Sequence, residues 1–252
     1  MESISSISAA ILAGGLGTRL RPAVADRPKA LAMVRGRPFL HFLLDQLCAA
    51  GIRHVVLCTG HMGDMVRSAL DNSYRGMRLD YSEELSPLGT AGGLRLALPL
   101  FESDHVLVMN GDSYCQVDLH SFWSFQRRWE AKASLVLTRT SDTAHYGRVQ
   151  VDHEGRVARF EEKGSHSGPG WINAGVYLIE RGLLGSIPST GSVSIEREIF
   201  PEWIGRGLYG FRSKGRFLDI GTPETYAEAQ DFFSTVDEAS EAEDQARTVC
   251  SP

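Results

Sequence analysis

The sequence predicts an α/β protein: a mostly parallel β-sheet with helices on both faces, joined to a smaller mixed α+β part. Two observations predict this fold class. In the first half of the chain, short apolar runs alternate with stretches of helical periodicity, the pattern of a parallel sheet with crossover helices. After residue 131 the pattern changes to alternating polar and apolar residues around a glycine-containing turn, which is typical of antiparallel strands.

The first half begins with a buried strand over Ile7–Ala13, because this short apolar run ends at a glycine. A helix is predicted over Pro38–Gly51, since proline suits a first helical position and glycine a helix end. The following elements alternate in the same way: a strand over Ile52–Gly60, a helix over Met62–Leu70, a strand over Met77–Glu84, a helix over Ala91–Phe101 and a strand over His105–Asp112.

The second half is predicted to mix strands and a helix, laid against the first half. Its predicted elements are a strand over Ala133–Thr140, a hairpin over Gly147–Lys163, a strand over Trp171–Ile179, a helix over Ser194–Gly207 and a strand over Arg216–Gly221. Residues 236–252 are polar and acidic, with little apolar surface to bury, so we expect a disordered tail.

Composition narrows the functional class. The chain has 252 residues with a net charge of −5, which argues against nucleic acid as the main partner. It contains no apolar run of about 18 residues and no signal-peptide pattern, so we expect neither a membrane span nor secretion. The cysteines form no CxxC pair, which predicts a reducing, cytoplasmic compartment; they are Cys48, Cys58, Cys115 and Cys250.

The stretch LAGGLGTRLRP, residues 12–22, places three glycines directly after the first strand. Glycines let backbone N–H groups turn toward an anion, and parallel strands bind ligands at their carboxyl ends. Arg19, Arg21 and the nearby Lys29 add positive charge. The alternative is a tight turn with solvated arginines, but the full string favours a phosphate-binding loop.

Two familiar phosphate loops do not fit this stretch. A Walker A loop requires GxxxxGK[ST], which the sequence lacks. The dinucleotide fingerprint requires a third glycine where Leu20 stands. The loop is therefore neither a Walker A loop nor a dinucleotide-binding loop, and we expect a different type of phosphate-binding loop.

Two aspartates each follow an apolar strand and precede a turn: Asp112 in NGDSY and Asp219 in FLDIG. A lone aspartate in this setting usually caps a turn. Two that converge on a triphosphate would form a Mg²⁺ site completed by phosphate oxygens and water.

Two further stretches have both a structural and a ligand-binding interpretation. SPLGTAGG, residues 86–93, suits the edge of a nucleobase, or a helix start capped by Thr90. EEKG, residues 161–164, offers Lys163 to a phosphate, or forms an exposed hairpin end with paired charges.

Together these motifs resemble those of the sugar-1-phosphate nucleotidyltransferases, and the resemblance covers residues 7–233. Within that family the sequence is most similar to the D-glycero-α-D-manno-heptose 1-phosphate guanylyltransferases, in the motifs GRPFLHFLLDQL, SPLGTAGGLRLALPL, NGDSY, YGRVQVD, EEKG, INAGVYL and FLDIGTPETY. The resemblance implies a Rossmann-like sheet of the nucleotide-diphospho-sugar transferase type. It also implies a single domain over residues 1–235, with a nucleotide-binding half at 7–130 and a sugar-phosphate-binding half at 131–235.

The resemblance also assigns roles to individual residues. It implies catalytic roles for Arg19, Lys29 and Asp112. It implies nucleotide binding by Leu12, Ala13, Gly14, Gly15, Gly17, Thr18, Arg19, Lys29, Leu88, Gly89, Thr90 and Gly111. It implies sugar-phosphate binding by Gly147, Glu162, Lys163, Asn173 and Gly175, and Mg²⁺ binding by Asp112 and Asp219.

The function so implied is transfer of GMP from GTP to D-glycero-α-D-manno-heptose 1-phosphate, giving GDP-heptose for cell-surface polysaccharide and releasing pyrophosphate. A mannose-1-phosphate guanylyltransferase or an N-acetylmuramate-1-phosphate uridylyltransferase would use the same residues. A catalytically silent nucleotide-sugar sensor is the alternative from another class, although the intact Arg19, Lys29, Asp112 and Asp219 argue against it. The oligomeric state stays open, a homo-oligomer included.

Overall fold

The computed structural model describes residues 3–161 and 167–234. Its strands are β1 (Ser8–Leu12), β2 (Met33–Val34), β3 (Arg37–Pro38), β4 (His54–Thr59), β5 (Ser73–Tyr74), β6 (Met77–Glu83), β7 (His105–Asn110), β8 (Ser113–Cys115), β9 (Ala133–Thr140), β10 (Arg148–Val151), β11 (Val157–Glu161), β12 (Gly170–Glu180), β13 (Leu208–Arg212) and β14 (Phe217–Asp219). Its α-helices are α1 (Phe39–Ala49), α2 (Gly63–Leu70), α3 (Gly89–Ala97), α4 (Leu119–Arg128), α5 (Arg181–Gly185) and α6 (Phe200–Trp203), and residues 223–234 are also helical. The predicted disordered tail, 236–252, lies outside the described residues.

Ten of these strands form one sheet, whose centre is parallel. β1 lies between β4 and β7, and β4 continues to β6, all in parallel register. β12 then pairs antiparallel with β7 and with β9, and the β10–β11 hairpin and β13 complete that side. The second half therefore extends the same sheet rather than lying against it. This arrangement confirms the predicted α/β class with a mostly parallel central sheet.

Alternate residues of the central strands point into two separate hydrophobic cores, as the two-residue period of a strand requires. In β1, Ala9 and Ile11 belong to one core and Ala10 to the other. Helices α1, α2, α4 and 223–234 cover the first face, and α3, α5 and α6 cover the second. Helices thus lie on both faces, as predicted.

Two predicted helices are shorter than expected, each because of a proline. The helix predicted over Ala91–Phe101 runs as α3 and then tightens into a 3₁₀ turn at Leu98–Leu100, which contains Pro99. The helix predicted over Ser194–Gly207 is a π-helix at Ile195–Ile199 followed by the four-residue α6. Pro201 has no N–H to donate, so regular helical bonding cannot continue through it.

Other elements had not been predicted, among them helix α4 and strands β8 and β13. Helix α4 is capped at its N-terminus by Asp118, whose side chain accepts bonds from the backbone N–H groups of His120 and Ser121. Strand β13 and the short strand β8 likewise lie in stretches left unassigned by their pattern. None of the helices within residues 3–161 and 167–234 combines the length and apolar character needed to cross a bilayer.

The helix at residues 223–234 is held by an aromatic cluster on the first face. Phe233 is 2% exposed and stacks on Phe42 with ring centroids 3.9 Å apart. Its ring also meets Phe39 and Tyr114 edge-on, at 6.2 and 5.0 Å. The contact with Tyr114 ties this helix to β8, which leads away from Asp112.

Phe233→Ala is expected to lower the free energy of unfolding by about 3 kcal/mol, because it leaves a cavity among packed rings. Denaturant unfolding followed by circular dichroism measures this. Leu85→Ala is the matched control, since the Leu85 side chain is 99% exposed. Equal midpoints for the two variants would contradict the role given to this cluster.

Candidate active site

A cavity of about 590 Å³ opens where the parallel strands β1, β4, β6 and β7 end, and it also reaches the second half of the chain. Sixteen of the predicted site residues line it: Leu12, Ala13, Gly14, Gly15, Gly17, Thr18, Arg19, Lys29, Gly89, Thr90, Gly111, Asp112, Gly147, Asn173, Gly175 and Asp219. Leu88 is not among its lining residues, and Glu162 and Lys163 lie outside the described residues. The cavity therefore joins the two glycine-rich stretches to the two aspartates.

The glycine loop after β1 offers a row of backbone donors. The N–H groups of residues 14–19 donate no hydrogen bond to any described residue, while the loop closes behind them through Leu20 N–H to Gly17 O at 3.0 Å. Gly17 has a φ of +60°, a conformation that glycine adopts without strain. Open N–H groups beside a cavity are a ready site for phosphate oxygens.

Two cations of this region are placed differently. Lys29 is fixed: its Nζ lies 2.7 Å from Asp112 Oδ2, and its side chain is 12% exposed. Arg19 is exposed at the cavity and makes no hydrogen bond or ion pair with any residue in the described ranges. Arg19 is thus available to an anion, whereas Lys29 already neutralises one carboxylate.

The two aspartates are brought together by the pairing of β14 with β8. Asp219 lies opposite Ser113 in this pair, and Ile220 N–H donates to the backbone oxygen of Asp112 at 2.9 Å. The Asp219 carboxylate accepts a bond from Gly221 N–H, which fixes it at the strand end. Both carboxylates line the cavity.

These residues fit a divalent cation that is shared with a bound phosphate. Within the described part of the chain, no cluster of three or more His, Cys, Asp or Glu side chains is arranged to hold a metal. Two carboxylate groups are too few for a complete protein-only shell. They suit Mg²⁺, which usually keeps several waters and takes one or two carboxylates plus substrate phosphates.

At the other end of the cavity, Glu84 lies between the two glycine-rich stretches. Its Oε2 accepts a bond from Leu88 N–H at 3.1 Å, and a Cβ on Gly14 would come within 2.8 Å of its Oε1. Burial raises the pKa of Glu84, and the bond from Leu88 partly offsets the rise. Leu88 thus contributes its backbone, which holds this carboxylate in place.

The sugar-binding residues predicted on β12 sit at a bulge. The register of β12 shifts between Asn173 and Tyr177, and Gly175 in the bulge has a φ of +73°. A Cβ on Gly175 would lie 2.6 Å from Ser113 Oγ and 2.8 Å from Asn110 Nδ2. Only glycine allows β12 to approach the Asp112 turn this closely.

The cavity also contains residues that had not been predicted, among them Glu84, Asn110, Ser113 and Glu196. Asn110 and Ser113 flank Gly111–Asp112 within the NGDSY motif, so their motif position was the available signal. Glu196 stands in a stretch whose pattern indicated an ordinary helix, and nothing in that pattern marks it. Cys58 also lines the cavity, but burial raises the pKa of its thiol to about 12, so it is no nucleophile at neutral pH.

Comparisons with known proteins identify relatives of the whole chain. The chain is 36% identical over 225 residues to D-glycero-alpha-D-manno-heptose 1-phosphate guanylyltransferase of Aneurinibacillus thermoaerophilus, covering 89% of this chain and 97% of that protein. It is 38% identical over 224 residues to mannose-1-phosphate guanylyltransferase of Mycobacterium tuberculosis, covering 87% of this chain but only 62% of that longer relative.

The chain also resembles solved structures. HddC from Yersinia pseudotuberculosis superimposes with a TM-score of 0.81 at 32% identity, covering 90% of this chain and 99% of HddC. A second structure of HddC, complexed with GMP-PN, gives a TM-score of 0.79. The model of the family described as Nucleotidyl transferase matches residues 8–235. These findings confirm the resemblance indicated by the motifs, and the chain belongs to the nucleotidyl transferase family.

Proposed function

We propose that this chain transfers a guanylyl group from GTP to a manno-configured sugar 1-phosphate, with D-glycero-α-D-manno-heptose 1-phosphate as the first candidate. The observation that carries the proposal is the single cavity surface shared by the open loop amides, Lys29 and the two aspartates. The sequence relatives include D-glycero-alpha-D-manno-heptose 1-phosphate guanylyltransferases, and one structural neighbour, HddC, is complexed with GMP-PN. Mannose 1-phosphate is the second candidate, because the mycobacterial relative is equally similar in sequence.

In the proposed reaction, a phosphate oxygen of the sugar 1-phosphate attacks the α-phosphorus of GTP. A new P–O bond forms there as the bond from the α-phosphorus to the bridging oxygen breaks and pyrophosphate leaves. The attacking phosphate is already ionised at neutral pH, so no general base is required. What the protein must do is hold two anions in line and neutralise the charge that spreads over their oxygens.

The described residues divide this task. The N–H groups of residues 14–19 and the Arg19 guanidinium bind the triphosphate, and Lys29 counters charge at the Asp112 turn. Asp112 and Asp219 would hold Mg²⁺. That ion, when bound, would polarise the phosphate oxygens and help to align the two reactants. A reaction that consumes GTP also suits the reducing, cytoplasmic compartment predicted from the sequence.

Glu84 supports guanine as the base. The Watson–Crick edge of guanine carries two adjacent donors, N1–H and N2–H₂, which match the acceptors of a carboxylate. Uracil and thymine offer one donor between two carbonyl oxygens, which a carboxylate would repel. The glycine-rich stretch at 86–93 can complete the contact with its backbone.

Pyrophosphate release tests the proposal. Each nucleoside triphosphate is paired with heptose, mannose, glucose and N-acetylmuramate 1-phosphates, with Mg²⁺ present. GTP with a manno-configured sugar 1-phosphate is expected to give the highest kcat/KM. Faster turnover with UTP or dTTP would overturn the guanylyl assignment, and no turnover with any pair would favour the sensor alternative.

Lys29→Ala and Arg19→Ala are each expected to lower turnover roughly a hundredfold or more, because a charge that stabilises the transition state is worth about 3 kcal/mol. Arg27→Ala is the control, since Arg27 pairs with its neighbour Asp26 in the same segment. Steady-state kinetics on variants with native circular dichroism provide the comparison. Wild-type turnover in both test variants would refute these roles.

Asp112→Asn and Asp219→Asn are expected to abolish most Mg²⁺-dependent turnover while leaving metal-free GTP binding nearly unchanged. Each substitution keeps the size of the side chain but removes a charge that an oxygen-coordinated cation needs. Asp104→Asn, at an exposed position, serves as control. A Mg²⁺-dependent rate that neither change alters would show that the carboxylate pair is not the metal site.

Glu84→Gln is expected to reduce kcat/KM for GTP about a hundredfold, because one of the two guanine donors then faces an amide N–H₂. The neighbouring, exposed Glu83→Gln is the matched control. Since burial raises the pKa of Glu84, GTP affinity should also weaken as pH falls through that raised value, as the carboxylate is lost. An unchanged preference for GTP over UTP in Glu84→Gln would remove Glu84 from base recognition.

A further inference from the structure

A partly buried hydrogen-bond network runs from Thr90, in the glycine-rich stretch at 86–93, to Asn173 at the β12 bulge, and the proposed chemistry does not use it. Its centre is the hydroxyl of Tyr177 on β12, whose side chain is 0% exposed. This hydroxyl accepts a bond from Asn173 Nδ2 at 2.8 Å and donates to Glu196 Oε1 at 3.4 Å. Asn110 is its third hydrogen-bond partner, which lowers the pKa of Tyr177.

The Tyr177 hydroxyl carries a single proton, and this fixes which partner donates in each of its hydrogen bonds. Burial raises the pKa of Tyr177 well above its usual value, so its hydroxyl keeps its one proton. A carboxylate can only accept, so that proton goes to Glu196. The hydroxyl must then accept from both amides, and the Asn173 Nδ2–Tyr177 Oη distance is 2.8 Å.

Each amide is thereby fixed in one orientation. Asn173 has its oxygen on Gly175 N–H at 3.0 Å, across the bulge of β12. For Asn110, the role of donor to Tyr177 assigns its Nδ2 to that side, and its buried Oδ1 receives no bond from any donor among residues 3–161 and 167–234. Both asparagines line the cavity, two residues from Gly175 and Asp112 respectively.

The other oxygen of Glu196 reaches the base end. Its Oε2 accepts from the hydroxyls of Thr90 at 2.8 Å and Ser194 at 2.9 Å. Thr90 in turn accepts from Ile195 N–H at 2.8 Å. One carboxylate therefore contacts groups from both halves of the chain, and its charge sets the direction of every bond beyond it.

We infer that Glu196 is a positioning residue for the transfer: through Tyr177 it holds the amides of Asn110 and Asn173 in the single orientation that the sugar 1-phosphate meets. The inference rests on the proposed function, because it assumes that a sugar 1-phosphate binds at the Gly175 bulge and the Asp112 turn. If either asparagine amide were rotated by half a turn, its N–H₂ donor would replace the carbonyl acceptor that faces the sugar 1-phosphate.

Glu196→Gln is the decisive variant. Glutamine can form the same number of hydrogen bonds as glutamate, but its N–H₂ group can donate to Tyr177, so the Tyr177 hydroxyl is no longer required to be the donor. Its oxygen can still accept from Thr90 and Ser194, and its N–H₂ would then donate to Tyr177. The Tyr177 proton must find another acceptor, which requires one asparagine amide to turn over. Hydrogen bonding is conserved in number, so the melting temperature should change little.

Steady-state kinetics should show kcat/KM for the sugar 1-phosphate falling about tenfold or more, the effect of one misdirected hydrogen bond, with the Kd for GTP unchanged. Tyr177→Phe should give a similar loss, and the double variant no further loss, since both act through the same link. The matched control is Glu198→Gln, two residues away, which accepts from Ser194 N–H at 2.8 Å but has no bond to Tyr177.

An independent measurement separates this inference from the proposed function. In the free wild-type protein, the side-chain N–H₂ protons of Asn110 and Asn173 should exchange slowly with solvent by NMR, and Glu196→Gln should alter at least one of the two signals. Absence of any sugar transfer by the wild type would refute the proposed function, while the NMR result would still test the network. Wild-type kcat/KM in both Glu196→Gln and Tyr177→Phe, or amide signals identical in Glu196→Gln, would overturn the inference.

Discussion

The short antiparallel pairing of β14 with β8 is the contact on which the site depends. It places Asp219 opposite Ser113 and bonds Ile220 N–H to the backbone oxygen of Asp112. Without it, the two carboxylates would belong to unrelated parts of the chain. The aromatic packing of Tyr114 against Phe233 supports the same strand from the core side, so the geometry of the acid pair rests on buried rings rather than on exposed charges.

Several charged and polar groups of the site are placed to bind substrate groups. Lys29 is committed to Asp112, whereas Arg19 and the loop amides are open toward the cavity. A triphosphate with its metal would supply anions to the loop and a divalent cation to the two aspartates. A polar group at the proposed sugar-binding end is also unsatisfied: Asn110 Oδ1 is buried and accepts no hydrogen bond from any of the described residues. Such an acceptor costs free energy until a ligand satisfies it.

Much of the fold and many of the site residues could be predicted from the sequence, because the signals that indicate them depend on neighbouring residues. Strand-ending glycines, apolar runs and the motif positions of Lys29, Asp112 and Asp219 each depend on a few neighbouring residues, and the parallel sheet follows from their alternation. Glu196 and Glu84 could not be found in this way, since their roles arise from contacts with residues distant in the chain. The π-helix that carries Glu196 was also missed, because the pattern of that stretch indicates a regular α-helix. The sugar-side residues Glu162 and Lys163 stay predictions, as they lie outside the described residues.

The central claim is that Asp112 and Asp219 form half of a metal site that a bound nucleotide completes. Titration of Mn²⁺ by electron paramagnetic resonance, with and without a non-hydrolysable GTP analogue, tests it most directly. The account predicts one tightly bound Mn²⁺ per chain with the analogue present and only weak binding without it. Tight Mn²⁺ binding that is the same with and without the analogue, or no tight binding in its presence, would contradict the account.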